Sequence, residues 1–334
     1  FVKGDVFGGA EQGFVQNDTH VTIEGNCQIG NGYVQMDDDG TYLGSPLSVN
    51  RRYTSDEWSQ RKLIMGDNDR QALKDLVSTN YYTSSLPECA SWKYGQAAND
   101  ADKYAAHDIY AGTANYDSKG GRTIADNGHT FYGNVFGGGS GYFPYAAGKW
   151  HWKAGNVGGN ALVEIKGGHI LTNVYGGNEM TNVDGKATVT MTGGTIGVPR
   201  TLGQIAAHPV TCYLFGGGAG DPRVLFNKQT NVKDAEVSIT GGWVYGSVFG
   251  GGEDGHVMRN VNLTIGGTAK IGTWGTSYVD GNIFGGGRGF SADAYTAGNV
   301  AGAVTMSITG GEILGSVYGG GRLGSVGYGL YDAN

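Results

Sequence analysis

Glu253, Asp254 and His256 stand within four positions of one another in the phrase SVFGGGEDGHVMRN. Two carboxyl groups beside an imidazole are residue types for general acid–base chemistry, and paired acids are what glycosidic-bond cleavage uses. Their setting is a glycine-rich turn, however. The opening phrase, DVFGGAEQGFVQND, carries Glu11, Gln12 and Phe14 in the corresponding stretch. The trio therefore reads as a solvated turn. Asp37, Asp38 and Asp39, followed by Gly40, resemble a fragment of a calcium loop, but they lack the alternate spacing and distal glutamate of a complete one. One adventitious Ca2+ is the most we expect there, and Asp67, Asn68 and Asp69 promise no more. The chain has no Gly-x-Ser-x-Gly elbow and no P-loop lysine. We expect no catalytic residue, no resident cofactor and no metal site.

Residue types suited to recognition are better represented. GYFPYAAGKWHWKAGN, residues 141–156, crowds Tyr142, Phe143, Tyr145, Trp150 and Trp152 into one loop. Tyrosine and tryptophan in loops make contact anchors, because each offers a large flat apolar face and a polar handle. Tyr81, Tyr82, Trp92 and Tyr94 are further candidates of the same kind. The competing reading is that the loop covers neighbouring chain. We expect any binding to a glycan or a protein partner to use these positions.

The elements that must position them follow from repetition. An aliphatic residue, an aromatic and Gly-Gly recur at Val6, Val135, Val174, Leu214, Val248, Ile283 and Val317, the last five intervals being 39, 40, 34, 35 and 34 residues. A second phrase lies between them: ALVEIKGGHI from Ala161, ATVTMTGGTI from Ala187, AEVSITGGWV from Ala235, VNLTIGGTAKI from Val261 and VTMSITGGEI from Val304. Each alternates apolar and polar residues and then breaks at Gly-Gly, which is strand, turn, strand. Strands are expected over 161–166, 187–192, 235–240, 261–265 and 304–309. A repeat of about 35 residues cannot bury its apolar face alone, so successive repeats must stack in parallel as a β-solenoid. Phe136, Tyr175, Phe215, Phe249, Phe284 and Tyr318 would then form one column. The glycines belong to tight corners, supplying positive φ and close backbone approach. No regular aspartate follows them, which argues against a calcium-loaded β-roll.

Composition narrows the partners. Of 334 residues 64 are glycine, and the formal net charge is −7, which gives no attraction for nucleic acid. No apolar run approaches the ~20 residues that span a bilayer, so no direct membrane insertion is expected. Cys27, Cys89 and Cys212 are too scattered for a disulfide framework and read as small buried side chains.

Residues 36–130 break the pattern, with 8 glycines and 24 charged residues in 95 positions. Residues 55–82 have helical spacing behind Ser55 as N-cap, and 96–112 form a weaker helical stretch. The expected organisation is a first repeat over 1–35, a mixed α/loop insertion over 36–130 and a continued solenoid over 131–334. Its ends carry no cap, so adjoining repeats or partner subunits are expected to cover them.

The V-[FY]-G-G-G and V-x-I-x-G-G-x-I phrases resemble those of the very large glycine-rich surface proteins of gut Bacteroidetes. That resemblance covers residues 1–35 and 131–334. It implies an all-β, pectin-lyase-like right-handed parallel β-helix, secreted or displayed on the outer-membrane exterior, with an adhesin-like, non-enzymatic role. A polysaccharide-binding or polysaccharide-active protein, and a fibre component of a phage or secretion assembly, are the alternatives. Acids recurring along one strand face would favour catalysis. Those positions hold mainly Thr, Ser, Lys and Val, with Glu164 and Glu236 as exceptions.

Overall fold

The structure, a computed structural model, describes residues 2, 5–11, 13–30, 133–141, 155–197, 199, 212–220, 230–275, 280–289 and 298–327. They form three parallel sheets, with no helix among the described residues. Successive repeats add strands to the three sheets in turn, and the short strand His256–Val257 pairs with the start of Asn231–Ile239 in the long sheet. The aromatic sheet has seven two-residue strands: Val6–Phe7, Val135–Phe136, Val174–Tyr175, Leu214–Phe215, Val248–Phe249, Ile283–Phe284 and Val317–Tyr318. The long sheet runs Thr19–Ile23, Ala161–Ile165, Val183–Met191, Asn231–Ile239, Val261–Ile265 and Val304–Ile308. The short sheet runs Gln28–Ile29, His169–Ile170, Thr195–Ile196, Trp243–Val244, Lys270–Ile271 and Glu312–Ile313. In all three, spatial order follows chain order.

The expected strands are present. Two start earlier than expected, at Val183 and Asn231, because residues just before the alternating phrase also join the ladder: Val232 pairs with Val183 and with Val257. Pairing also crosses the long break in the repeat, since Val6 lies against Val135 and Thr19 against Ala161. The helical stretches expected at 55–82 and 96–112 lie outside the described residues.

Period-two alternation produces the core. Val163, Ile165, Val189, Met191, Val237, Ile239, Leu263 and Ile265 point inward and meet Ile170, Ile196, Val244 and Ile271 of the short sheet. The aromatic column fills the remaining corner. From Phe7 through Tyr318, omitting none of the seven rungs, consecutive rings stack at 4.7 to 5.0 Å between centroids. That spacing is the rung spacing of a parallel sheet, so ring stacking and backbone pairing reinforce each other.

The two glycine phrases do different jobs. In the aromatic corner the first glycine has ordinary φ, and what it lacks is room: a Cβ on Gly216 would overlap the Gly250 carbonyl oxygen of the next rung. At the long-to-short turn the second glycine is left-handed, as at Gly194 with φ 78°.

Candidate functional site

The aromatic residues singled out for recognition, Tyr142, Phe143, Tyr145, Trp150, Trp152, Tyr81, Tyr82, Trp92 and Tyr94, lie outside the described residues, as do Asp37, Asp38, Asp39 and Cys89. Cys212 is buried as expected, whereas Cys27 is half-buried; neither is in a disulfide.

Glu253, Asp254 and His256 correct the reading of a solvated turn. They are 4 %, 1 % and 4 % exposed. The position after the three corner residues forms a column of Glu11, Ser140, Glu179, Ala219, Glu253, Arg288 and Arg322, exposed at Glu11 on the first rung and buried from Ser140 to Arg288; from Ser140 to Arg322 each bonds through its N–H to the rung before. Glu253 is therefore stacked beside Arg288, whose Nη1 donates to Glu253 Oε1 at 2.7 Å. Tyr175 donates its hydroxyl to Glu253 Oε2 at 2.6 Å and accepts from Asn173 Nδ2 at 3.1 Å. Arg288 also lies 5.1 Å over the ring of buried Tyr213. Burial, reinforced by the negative charge of Glu253, pushes the Tyr175 hydroxyl well above its usual range, so it stays a donor. Glu253, Tyr175 and Arg288 are each engaged from another rung, which makes the cluster a clamp across stacked repeats. His256 Nδ1 accepts from the Asn299 N–H at 3.2 Å and serves the same purpose at the next corner.

Such side-chain-to-backbone bonds form ladders. Asn134 Oδ1 takes the N–H of Asn173, Asn173 Oδ1 that of Tyr213, and Asn282 Oδ1 that of Ser316. Asp5 occupies the first step and accepts from the Asn134 N–H at 2.8 Å. Although Asp5 as a residue is half-buried, its carboxyl is enclosed, and desolvation pushes its pKa well above the carboxylate range against the pull of that bond. The charge of Glu179 adds to the rise.

The outward face of the long sheet carries the two exceptional acids, and both sit in ion pairs. Glu164 lies 2.6 Å from His20 and 3.2 Å from Lys166, contacts that hold its carboxyl below the usual range. Glu236 lies 2.5 Å from Lys186.

An aromatic group that sequence reasoning passed over sits on the short sheet. Trp243 points outward, its ring 4.3 Å from that of Tyr245 and 4.3 Å beneath the Lys270 ammonium. Trp274, 53 % exposed, stands on the following turn. The turn is tied down: Asp280 accepts 2.7 Å bonds from the N–H groups of Thr273, Trp274 and Gly275. Thr273 Oγ1 donates to the Tyr245 carbonyl and Trp243 Nε1 to the Gly272 carbonyl, both at 2.8 Å. The available signal was GGWVYG followed one repeat later by IGTWGTSY. Neither phrase clusters aromatics as densely as 141–156 does, and only stacking brings them together.

Among the described residues no group of three or more His, Cys, Asp or Glu is placed to hold a metal ion, and no helix is long and apolar enough to cross a membrane. No protein-family model, curated protein or solved structure matches the chain.

Proposed function

We propose that the chain forms a right-handed parallel β-solenoid that acts as a non-enzymatic, surface-displayed structural and adhesin-like component, presenting residues 36–130 and the 141–156 loop to a glycan or protein partner. The observation that carries this reading is the disposition of the charged groups. Glu253 is spent on Arg288 and Tyr175 inside the corner, and Glu164 and Glu236 are held in ion pairs on the outer face. Polar chemistry in the described residues goes into holding repeats in register.

A stacked face offers the same small side chains rung after rung and so has little means of selecting one partner. Selectivity then belongs to what departs from the repeat, and the two departures flank the Val135–Phe136 strand in the chain. The open edge of the Val304–Ile308 and Val317–Tyr318 strands leaves Ile308, Val317 and Tyr318 43 %, 43 % and 48 % exposed. A glycan array and a surface-protein pull-down with the intact chain and with 36–130 deleted test the reading. A folded deletion variant should lose its ligands; if it keeps every ligand of the parent, the insertion is not the recognition element.

A further inference from the structure

The outward positions of the short sheet align in register as His169, Thr195, Trp243, Lys270 and Glu312. We propose that this column, with Tyr245 and Trp274, is a binding platform for a neutral linear polysaccharide, separate from the insertion. It rests on the glycan-capturing side of the function proposed above but uses none of the same residues.

Three observations carry it. The first is display: Trp274 keeps half its surface in water although a large aromatic side chain gains by burial. The second is preorganisation. Asp280, itself fully buried, clamps three successive N–H groups of the Trp274 turn, and Gly275 at φ 69° seats that turn against Leu314 of the next rung. A ring held this way loses little freedom when a ligand arrives. The third is the mixture of groups beside the rings. His169 and Thr195 lie 2.9 Å apart, and Lys270 and Glu312 3.3 Å apart.

This mixture fits sugar better than protein. A protein interface needs an area of roughly 1,600 Å² with a dry apolar centre. Here the Trp243 ring is covered by Tyr245 and the Lys270 ammonium, so the flat face on offer is that of exposed Trp274 on the following turn, with charged and hydroxyl groups along the column. A pyranose ring matches that pattern, with a C–H face the size of one aromatic ring and hydroxyls around its rim. Rungs ~4.8 Å apart let successive sugars of an extended chain meet successive side chains of the column. Neutrality follows from the charges: Glu312 balances Lys270, and the chain's net charge of −7 repels polyanions.

The test uses the full chain, titrated with cellohexaose, xylohexaose, mannohexaose and laminarihexaose, and with polygalacturonate as the polyanion, read by tryptophan fluorescence and affinity electrophoresis. At least one neutral hexasaccharide should bind and shift the emission. Trp274→Ala, and Trp274→Leu, which keeps apolar bulk but not a flat ring, should each weaken that binding at least tenfold at an unchanged melting temperature. Tyr81→Ala and Trp92→Ala in the insertion should leave it intact. Failure of every neutral hexasaccharide to bind, binding of polygalacturonate alone, or indifference to both Trp274 variants overturns the platform. Loss on changing Tyr81 or Trp92 but not Trp274 overturns it in favour of the insertion.

Discussion

Asp5 stands where other rungs carry asparagine, as Asn134 and Asn173 do, and all three use one side-chain oxygen to accept the next rung's N–H. The extra charge is the difference. A carboxyl whose folded pKa lies above the unfolded value of about 3.9 contributes stability that is present at low pH and lost as pH rises toward the folded value. Asp5→Asn keeps the acceptor and removes the charge. It should raise the thermal midpoint at pH 7.5 and change it far less at pH 4, read by differential scanning fluorimetry at both. An equal effect at the two pH values would mean that ionisation of Asp5 is not what matters.

Within a rung, the corner clamp and the corner glycines make separable demands. Glu253→Ala leaves Arg288 buried with its main partner gone, which typically costs 3–5 kcal/mol. Replacing Glu253 and Arg288 together by glutamine and methionine should cost less than the two single changes added, as a denaturant-based double-mutant cycle would reveal. The glycine effect has an internal control. Gly216→Ala drives a methyl into the Gly250 carbonyl and should cost about 1–3 kcal/mol or more. Gly319, in the same column on the last described rung, has nothing within 4 Å of an added Cβ, so Gly319→Ala should shift stability by less than about 0.5 kcal/mol. Equal costs in this chain would contradict steric exclusion by the following rung.

Across the whole molecule, strand pairing joins each rung to its immediate neighbours, and side chains such as Tyr175 and Arg288 reach two rungs away, so stability is carried by rung and inter-rung terms. Rungs with neighbours on both sides bury their core strands fully, as at Val189, Val237 and Leu263, whereas Val304–Ile308 is largely open. Hydrogen exchange followed by mass spectrometry should therefore show slow amides at 187–191, 235–239 and 261–265 and faster ones at 304–308. Faster exchange in the middle rungs than at 304–308 would be incompatible with this order of stacking.

Much of this was legible in the sequence, because stacked parallel repeats reuse the same physics at each step. Alternation at Ala161, Ala187, Ala235, Val261 and Val304 placed the strands, and the recurring aromatic placed the column, since one chain position meets its equivalent one repeat on. The sequence could also mark glycine as corner geometry, but not which reason held at which corner. Carbonyl proximity at Gly216 depends on the rung above it, and left-handed φ at Gly194 on the turn between two sheets. Glu253, Asp254 and His256 were misread for a related reason: a charged residue beside three glycines looks solvated until Arg288, 35 positions away, is stacked against it. Trp243 and Trp274 escaped notice because the bonds that tie the Trp274 turn to Trp243 and Tyr245 cross a full repeat and exist only when the rungs stack. Residue types and period belong to the local sequence; which side chains share a corner or an outer column was decided by tertiary stacking, which brings positions a full repeat apart to within one rung.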